Sequence, residues 1–499
     1  MKIFNSKIWY LVLLCGTISL KVFGGNIDKS TLFEVRIDGA DTFVGVLNQF
    51  DIPIHTVQIS LDIKKSINIC IKAKEDIKNY SISPLSKNIK GTIIDKNLTF
   101  SIDKAEYLII KINDLEYLFL MIDTPIKNLS STALPIKNIL DYGIDNTGNI
   151  LSTDLIQKAI IDAAKNKNIL YFPEGIYKTG QLNLVDNSAI HLAPKAYIKA
   201  STDTIDFPDK TLININKAHN IKIEGHGTID GSGYTGLHKN GGQGYHLIYM
   251  SECKDIEIDG LLLLDPCFWN ARVYRSENVH LKNIKILNNR PEENWINTDG
   301  VDFDSSINCS LVNAILHCGD DNLVVKGLDH ERKFNTENIL FEKVITLSNS
   351  AATKIGTETC VEYFKNIIFK DIDIVKCKRA LVINAYDSAM VKNIVFENIN
   401  IESIDYNGIE LPRIIDFEIT DNSWRQCTGN CIIDNIKVKN VNIHFDIRNI
   451  NSQILGKSEK YSVKNISIED ISINNKKIHS PKDINLETNE YVFNLETKP

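Results

Sequence analysis

The sequence predicts an all-β fold, a parallel β-helix preceded by a small β-sandwich, on three observations. From residue 210 onward an Asn or Asp followed by alternating apolar residues, a short turn and a second apolar strand recurs again and again. One amphipathic helix precedes that array. Residues 26 to about 130 alternate with period two between turn residues and show no helical period.

The repeat runs as Asn220-Ile221-Lys222-Ile223, Asp255-Ile256-Glu257-Ile258, Asn278-Val279-His280-Leu281 and Asn338-Ile339-Leu340-Phe341, and continues through Asn366, Asn393, Asn435 and Asn465. Successive anchors mostly lie 23 to 35 residues apart. A leucine-rich horseshoe brings a helix to each repeat, whereas these are short β-branched strands with turns, so each repeat reads as one coil of a solenoid. Thr153 is placed as the cap of a helix from Asp154 to about Lys165, with Leu155, Ile156, Ala159, Ile160 and Ala163 on one face. Such a helix covers the open apolar end of a solenoid. Stretches such as Thr56-Val57-Gln58-Ile59 and Tyr107-Leu108-Ile109-Ile110 build the sandwich, which holds no concentrated catalytic constellation. The expected division is an export signal over 1–24, the sandwich over 25–132 and the β-helix over 133–499.

The 499-residue chain is 43% hydrophobic and 24% charged, with a formal net charge of -7. That balance supplies no basic field for nucleic acid or an anionic membrane. Lys2 and Lys7, the apolar run Ile8–Leu20 and the small residues near Gly24 read as a signal peptide, hence a secreted or periplasmic protein. Lipidation at Cys15 is the less favoured alternative, because Leu13-Leu14 lacks small residues, and no second apolar run offers a membrane span. Nine of the ten cysteines follow the signal, an odd number that makes no disulfide framework. Cys70, Cys309, Cys318 and Cys377 read as buried thiols in strands, and Cys427 with Cys431 as a candidate loop disulfide. No Cys/His cluster has zinc-ligand spacing, so neither metal nor cofactor is expected.

Chemistry is expected where polar residues break the repeat. The densest break is Asn294 to Asp304, followed by His317-Cys318-Gly319-Asp320-Asp321-Asn322. Asp299 and Asp320 are 21 residues apart, about one coil, and so stack on one face. Three converging carboxylates repel one another and raise at least one pKa. A protonated acid beside an ionised base is what glycoside hydrolysis requires. Acidic turns that merely cap solenoid loops or hold calcium are the competing reading. As neighbours on a regular strand face opposite sides, Asp320 and Asp321 need a turn or bulge, for which Gly319 supplies backbone freedom.

Asn297-Thr298-Asp299-Gly300 with Gly319-Asp320-Asp321 resembles the paired signature of glycoside hydrolase family 28, the polygalacturonase family. The likeness extends over roughly residues 135 to 475 and includes Tyr245–Met250, Pro266–Trp269 and Gly319–Lys326. The resemblance implies a right-handed parallel β-helix and metal-free hydrolysis with inversion. Asp320 would be the general acid, and Asp299 with Asp321 would hold and deprotonate the water. Two departures stand out. Ser350-Ala351-Ala352 occupies the place of the family's Gly-His-Gly, before Ile355-Gly356. Ala380-Leu381-Val382-Ile383-Asn384 occupies that of the Arg-Ile-Lys that grips a uronate in polygalacturonases. Lys354, Glu358, Asn384, Tyr386 and Asp387 lie nearby as substitutes, so the hydrolytic core is retained and the substrate grip rebuilt.

Asn297, Trp269, Asn270, Lys326, Lys354, Glu358, Asn384 and Tyr386 are the candidate substrate-binding residues. Trp269 and Asn270 sit at a coil corner where a ring face and an amide suit a sugar. His246 reads as a core histidine, Arg272 and Arg275 as substrate contacts or surface partners, and Lys326 as a cation lowering a carboxylate's pKa. The expected partner is a polysaccharide or oligosaccharide taken by a monomer. A lyase acting on an acidic glycan and a non-catalytic adhesive solenoid are the alternatives.

Overall fold

The computed structural model describes residues 27–48, 50, 52–126, 134–288, 297–405, 411–429 and 431–499. The expected signal segment and Cys15 lie outside these residues, as do Asn294 to Ile296.

A right-handed parallel β-helix carries the chain from Ile136–Asn138 to Val492–Lys498. Each coil contributes one short strand to an 11-stranded sheet and one long or paired strand to a 19-stranded sheet. The two half-strands of early coils, such as Lys254–Asp259 and Leu262–Leu264, fuse in later coils into single long ones such as Ile307–Cys318.

The Asn or Asp that opens each repeat explains how the chain turns between the sheets. Asn220, Asp255, Asn278, Asn308, Asn338, Asn366, Asn393, Asn435 and Asn465 all adopt left-handed backbone, φ +57° to +61°. Asparagine and aspartate tolerate that region better than other residues with a Cβ. Their amides stack: Asn338 Nδ2 donates to Asn308 Oδ1 at 2.9 Å, Asn366 to Asn338 at 3.0 Å and Asn393 to Asn366 at 3.1 Å. Inside the coils Phe341, Phe369 and Phe396 stack at 5.0 Å, with interplanar angles of 4° and 5°.

Helix α1, Thr153–Lys165, closes the first coil with Ile156, Ala159, Ile160 and Ala163 buried. Ser152, not Thr153, occupies the cap position, and the Thr153 hydroxyl instead accepts the Gly180 N–H at 2.7 Å. Leu155 is exposed rather than buried, because one residue from Ile156 on a helix turns it about 100° off the apolar stripe.

A six-stranded and a five-stranded sheet before the β-helix pack into the sandwich around Val35, Ile69, Leu108 and Leu120. Its outer side docks on the 19-stranded sheet through Leu47, Phe119 and Met121, against Leu264, Leu287, Ile315 and Leu347. At that seam Lys285 Nζ lies 2.8 and 3.0 Å from the Asp123 carboxylate oxygens, and Tyr107 Oη donates to the same group. The Phe119 ring stacks on His317 at 5.6 Å, three residues before Asp320.

The cysteines correct one expectation. Cys427 pairs with Cys360, 67 residues earlier, and not with Cys431. Cys431 directly precedes strand Ile432–Ile443 with its side chain in the β-helix core, while Cys427 lies in the loop that crosses back to Cys360. Cys309, Cys318 and Cys377 are buried thiols as expected, and Cys70 is half-buried. Among the described residues no helix is long and apolar enough to cross a membrane.

Candidate active site

The site is written on the outward face of the 11-stranded sheet. In strands Val301–Asp304, Leu323–Gly327, Ala351–Thr359 and Arg379–Ala385, residues such as Phe303, Val325, Ile355 and Ile383 enter the core. Their alternates Asp302, Lys326, Lys354 and Asn384 therefore face outward. The register sets Asp302 beside Val324, Val324 beside Lys354, and Lys354 beside Val382.

The aspartates come from the turns that enter these strands. Asp299 precedes Val301–Asp304, and Asp320 with Asp321 occupies the bend between Cys318 and Leu323, as adjacent inward-pointing carboxylates require. Gly300 N–H donates to the Asp321 carbonyl at 2.8 Å, which sets Asp299 level with Asp321, one residue off the spacing read from sequence. An added Cβ on Gly300 would meet the Asn322 carbonyl at 2.4 Å, so only glycine permits this approach.

A buried amide network fixes the two turns to each other. Asn270 Nδ2 donates to the Asp299 carbonyl at 2.8 Å, Asn288 Nδ2 to Asn270 Oδ1 at 3.3 Å, and Gly319 N–H to Asn288 Oδ1 at 3.1 Å. Gly319 N–H also reaches Thr298 Oγ1 at 3.0 Å. Asn270 and Asn384 have 0% exposure, and neither is among the residues that line the cleft. Asn384 accepts from Arg379 Nη1 at 3.1 Å and donates to Glu418 at 3.3 Å. Trp269 is likewise buried beside the cleft, where its ring carries Lys326 Nζ at 3.9 Å. His246 packs in an aromatic layer with Tyr249, Phe268 and Trp269. Arg272 pairs with buried Asp304 at 2.6 Å and Arg275 with buried Asp329, so both serve as structural partners.

The remaining candidates surround one cleft of about 260 Å3, lined by Asn297, Asp299, Asp320, Asp321, Lys326, Lys354, Glu358 and Tyr386. Ser350, Thr357, Arg379, Asn422 and Trp424 complete its wall.

The three carboxyls sit in unlike fields. Asp321 Oδ1 accepts from Ser350 Oγ at 2.7 Å and from Ala351 N–H at 2.9 Å. Its Oδ2 meets Lys354 Nζ at 2.7 Å, and Arg379 Nη2 lies 3.8 Å from Oδ1. Burial opposes its ionisation, but Lys354 and Arg379 outweigh burial and hold it well below the usual carboxylate range. Asp320 is equally buried, and the charges of Asp299 and Asp321 add to burial, so it is driven well above that range. Asp299 is pushed up to about 6 by burial and Asp321, with Lys326 at 3.2 Å opposing. Lys326 also lies 3.5 Å from Asp302 and 3.6 Å from Glu358, and these acids overcome the burial that disfavours its charge. Asp302 is fully buried and raised well above its ordinary value by burial and then Asp299.

The sequence reading left Asp302, Arg379 and Trp424 without a role. Asp302 stands inside the acidic stretch already singled out, at the outward position of its strand. Arg379 opens the strand that holds the stretch compared with Arg-Ile-Lys, and its guanidinium reaches along that strand to Asn384. Trp424 lies in a loop outside the repeat and offered no signal.

The chain is a β-helical glycosidase, with an acid-lined cleft on the outward face of the 11-stranded sheet. The chain is a member of glycosyl hydrolases family 28, whose model matches residues 163–490. It is 24% identical to an exopolygalacturonase of Zea mays, over 59% of this chain and 72% of that one. A probable endo-xylogalacturonan hydrolase A of Aspergillus fumigatus is also 24% identical, over 57% of this chain and 72% of its own length. The crystal structure of a hyperthermoactive exopolygalacturonase from Thermotoga maritima shares the fold at a TM-score of 0.55 and 20% identity, covering 73% of this chain and 92% of that one.

Proposed function

We propose that the protein is an exported hydrolase that cleaves a polysaccharide by single displacement with inversion, Asp320 being the acid and Asp299 with Asp321 the water-holding pair. The observation that carries this reading is the split between adjacent residues: Asp321 accepts from Ser350, Ala351 and Lys354, while Asp320 is buried among carboxylates. Environments that push neighbouring carboxyls apart assign acid and base.

Asp320, whose burial among carboxylates favours the protonated form, delivers its proton to the leaving glycosidic oxygen as the bond to the anomeric carbon breaks. Water, held by Asp299 and Asp321, loses a proton to Asp299 and attacks from the opposite face. The new C–O bond forms there, and the anomer inverts. Lys354 and Arg379 keep Asp321 ionised so that it accepts hydrogen bonds from the water rather than competing with Asp320 as an acid. Lys326 keeps Asp299 within reach of ionisation despite full burial.

Each cation in the cleft is already paired: Lys326 with Asp299, Lys354 with Asp321, and Arg379 with Asn384 and the Asp321 and Asp416 carboxylates. Such cations have little capacity left to hold the carboxylate of a uronate. The substrate is therefore a substituted galacturonan or a neutral glycan, and unsubstituted polygalacturonate is turned over poorly. The test is a panel of plant, algal and host glycans assayed for reducing-end release, with NMR of early products. A retained anomer, or efficient cleavage of unsubstituted polygalacturonate, overturns the corresponding half of the reading.

A further inference from the structure

One wall of the cleft is built by the longest of the described links that lead from the 11-stranded to the 19-stranded sheet. Residues 420–429 and 431 lie between strand Arg413–Ile419 and strand Ile432–Ile443, whereas the adjacent coils make the same connection with residues 386–389 and 456–462. The segment runs back over earlier coils and is fastened to each. The disulfide ties Cys427 to Cys360, just past the strand that carries Lys354 and Glu358. Asp387 Oδ1 accepts the Gln426 N–H at 2.5 Å and the Cys427 N–H at 2.7 Å. Arg332, from a third coil, donates to the Thr428 carbonyl at 3.0 Å. Asp421 anchors the near end through Lys457 and Arg425, both at 2.5 Å.

What this strap presents is an indole. Trp424 is 59% exposed and lines the same cleft as Asp299, Asp320 and Asp321. Its backbone N–H donates to Asn422 Oδ1 at 3.1 Å, which fixes the turn that bears it. A single exposed apolar residue on a loose loop needs no explanation. A tryptophan left in water on a loop fastened to three coils, at the edge of a cleft lined mostly by polar and charged residues, is a different matter. Tyr386 stands on the same side, its Oη held by Glu418 at 3.0 Å. The aspartates enter from the turns before the strands and the strap from a turn after one, so a glycan lying on the strands is flanked by acids on one side and aromatic rings on the other.

We infer that Trp424 is a sugar-binding platform: its indole stacks on the C–H face of a pyranose ring next to the scissile bond, and the Cys360–Cys427 disulfide holds it there. This rests on the polysaccharide-hydrolase reading above. The contact uses the apolar face that acidic and neutral pyranoses share, so it sets grip without choosing between them.

The test is calorimetric titration of the Asp320→Asn protein with hexagalacturonate and with a xylogalacturonan hexasaccharide. Trp424→Ala in that background weakens binding of whichever sugar is bound by about three- to tenfold, and Trp424→Phe recovers it to within about twofold. Sugar also shields Trp424 from acrylamide quenching, a signal that Trp424→Phe removes. Opening the disulfide, by Cys360→Ser with Cys427→Ser or by a phosphine reductant on the intact protein, lowers affinity in the same direction. Unchanged affinity in Trp424→Ala, or no binding of either sugar to the parent protein, overturns the platform. Failure of the underlying reading appears elsewhere, as undiminished hydrolysis by Asp320→Asn.

Discussion

The sheet beneath the sandwich and the sheet beneath the cleft are built from the same coils by the same alternation, yet their outward residues differ completely. On the 19-stranded sheet Leu264, Leu287, Ile315 and Leu347 face out, and a second domain covers them. On the 11-stranded sheet Asp302, Lys326 and Lys354 face out, and the surface is left as a groove. Buried charge occurs on both. At the domain seam Asp123 and Lys285 are matched one to one. In the cleft Lys326 is shared among Asp299, Asp302 and Glu358, so acids outnumber their cation. A matched pair holds two domains together, whereas a mismatched cluster leaves protons in play.

That contrast can be broken at several points. The largest effect is expected in the cleft: Asp320→Asn lowers kcat by about 10²–10⁴-fold with the thermal midpoint unmoved, and a fully active variant refutes the acid assignment. At the seam, Asp123→Ala strands Lys285 in an apolar contact and costs about 3–5 kcal/mol of stability, measured by urea denaturation. A loss near zero there would show that the seam readily admits water. Third is the pH profile. Asp299 acts as base only when ionised, and its carboxyl lies at about 6, so kcat/KM declines as pH falls through that value. Lys354→Met removes a charge that lowers both Asp321 and Asp299, and the acid limb moves to higher pH. An unmoved limb would mean that another group titrates there. Smallest is Asn338→Ala, which loses the amide bonds of one rung and strains a left-handed backbone for about 1–2 kcal/mol, with catalysis untouched.

Much of this was legible in the sequence because it is periodic or local. The repeat follows from Asn-anchored strands, the cap from an apolar helical stripe, and the acids from two polar breaks about one coil apart. What stayed hidden shares a cause: it concerns depth and partners across coils. Asn270 and Asn384 interrupt the pattern, and nothing in their neighbours tells that both are fully buried. Cys427 was matched to the nearest cysteine, Cys431, whereas stacking brings Cys360 close from 67 residues away. Arg379 and Trp424 act through side chains that cross from one coil to the next, which no linear spacing encodes.

The asparagine stack has a direction. Every amide donates toward the preceding coil, from Asn435 through Asn393, Asn366, Asn338 and Asn308 to Asn278, and the series stops at the carboxylate of Asp255. Shorter series do the same, Asn313 and Asn283 ending on Asp259, and Asn440 and Asn398 on Asp371. Aligned amides polarise one another, and their N–H ends sum to a partial positive pole. Each aspartate is thus an anion seated at that pole, as an acidic residue sits at the N-terminus of an α-helix. The β-helix thereby carries along its edge a set of terminated dipoles. Neutralising Asp255 with Asn would remove the charge on which the longest of them ends.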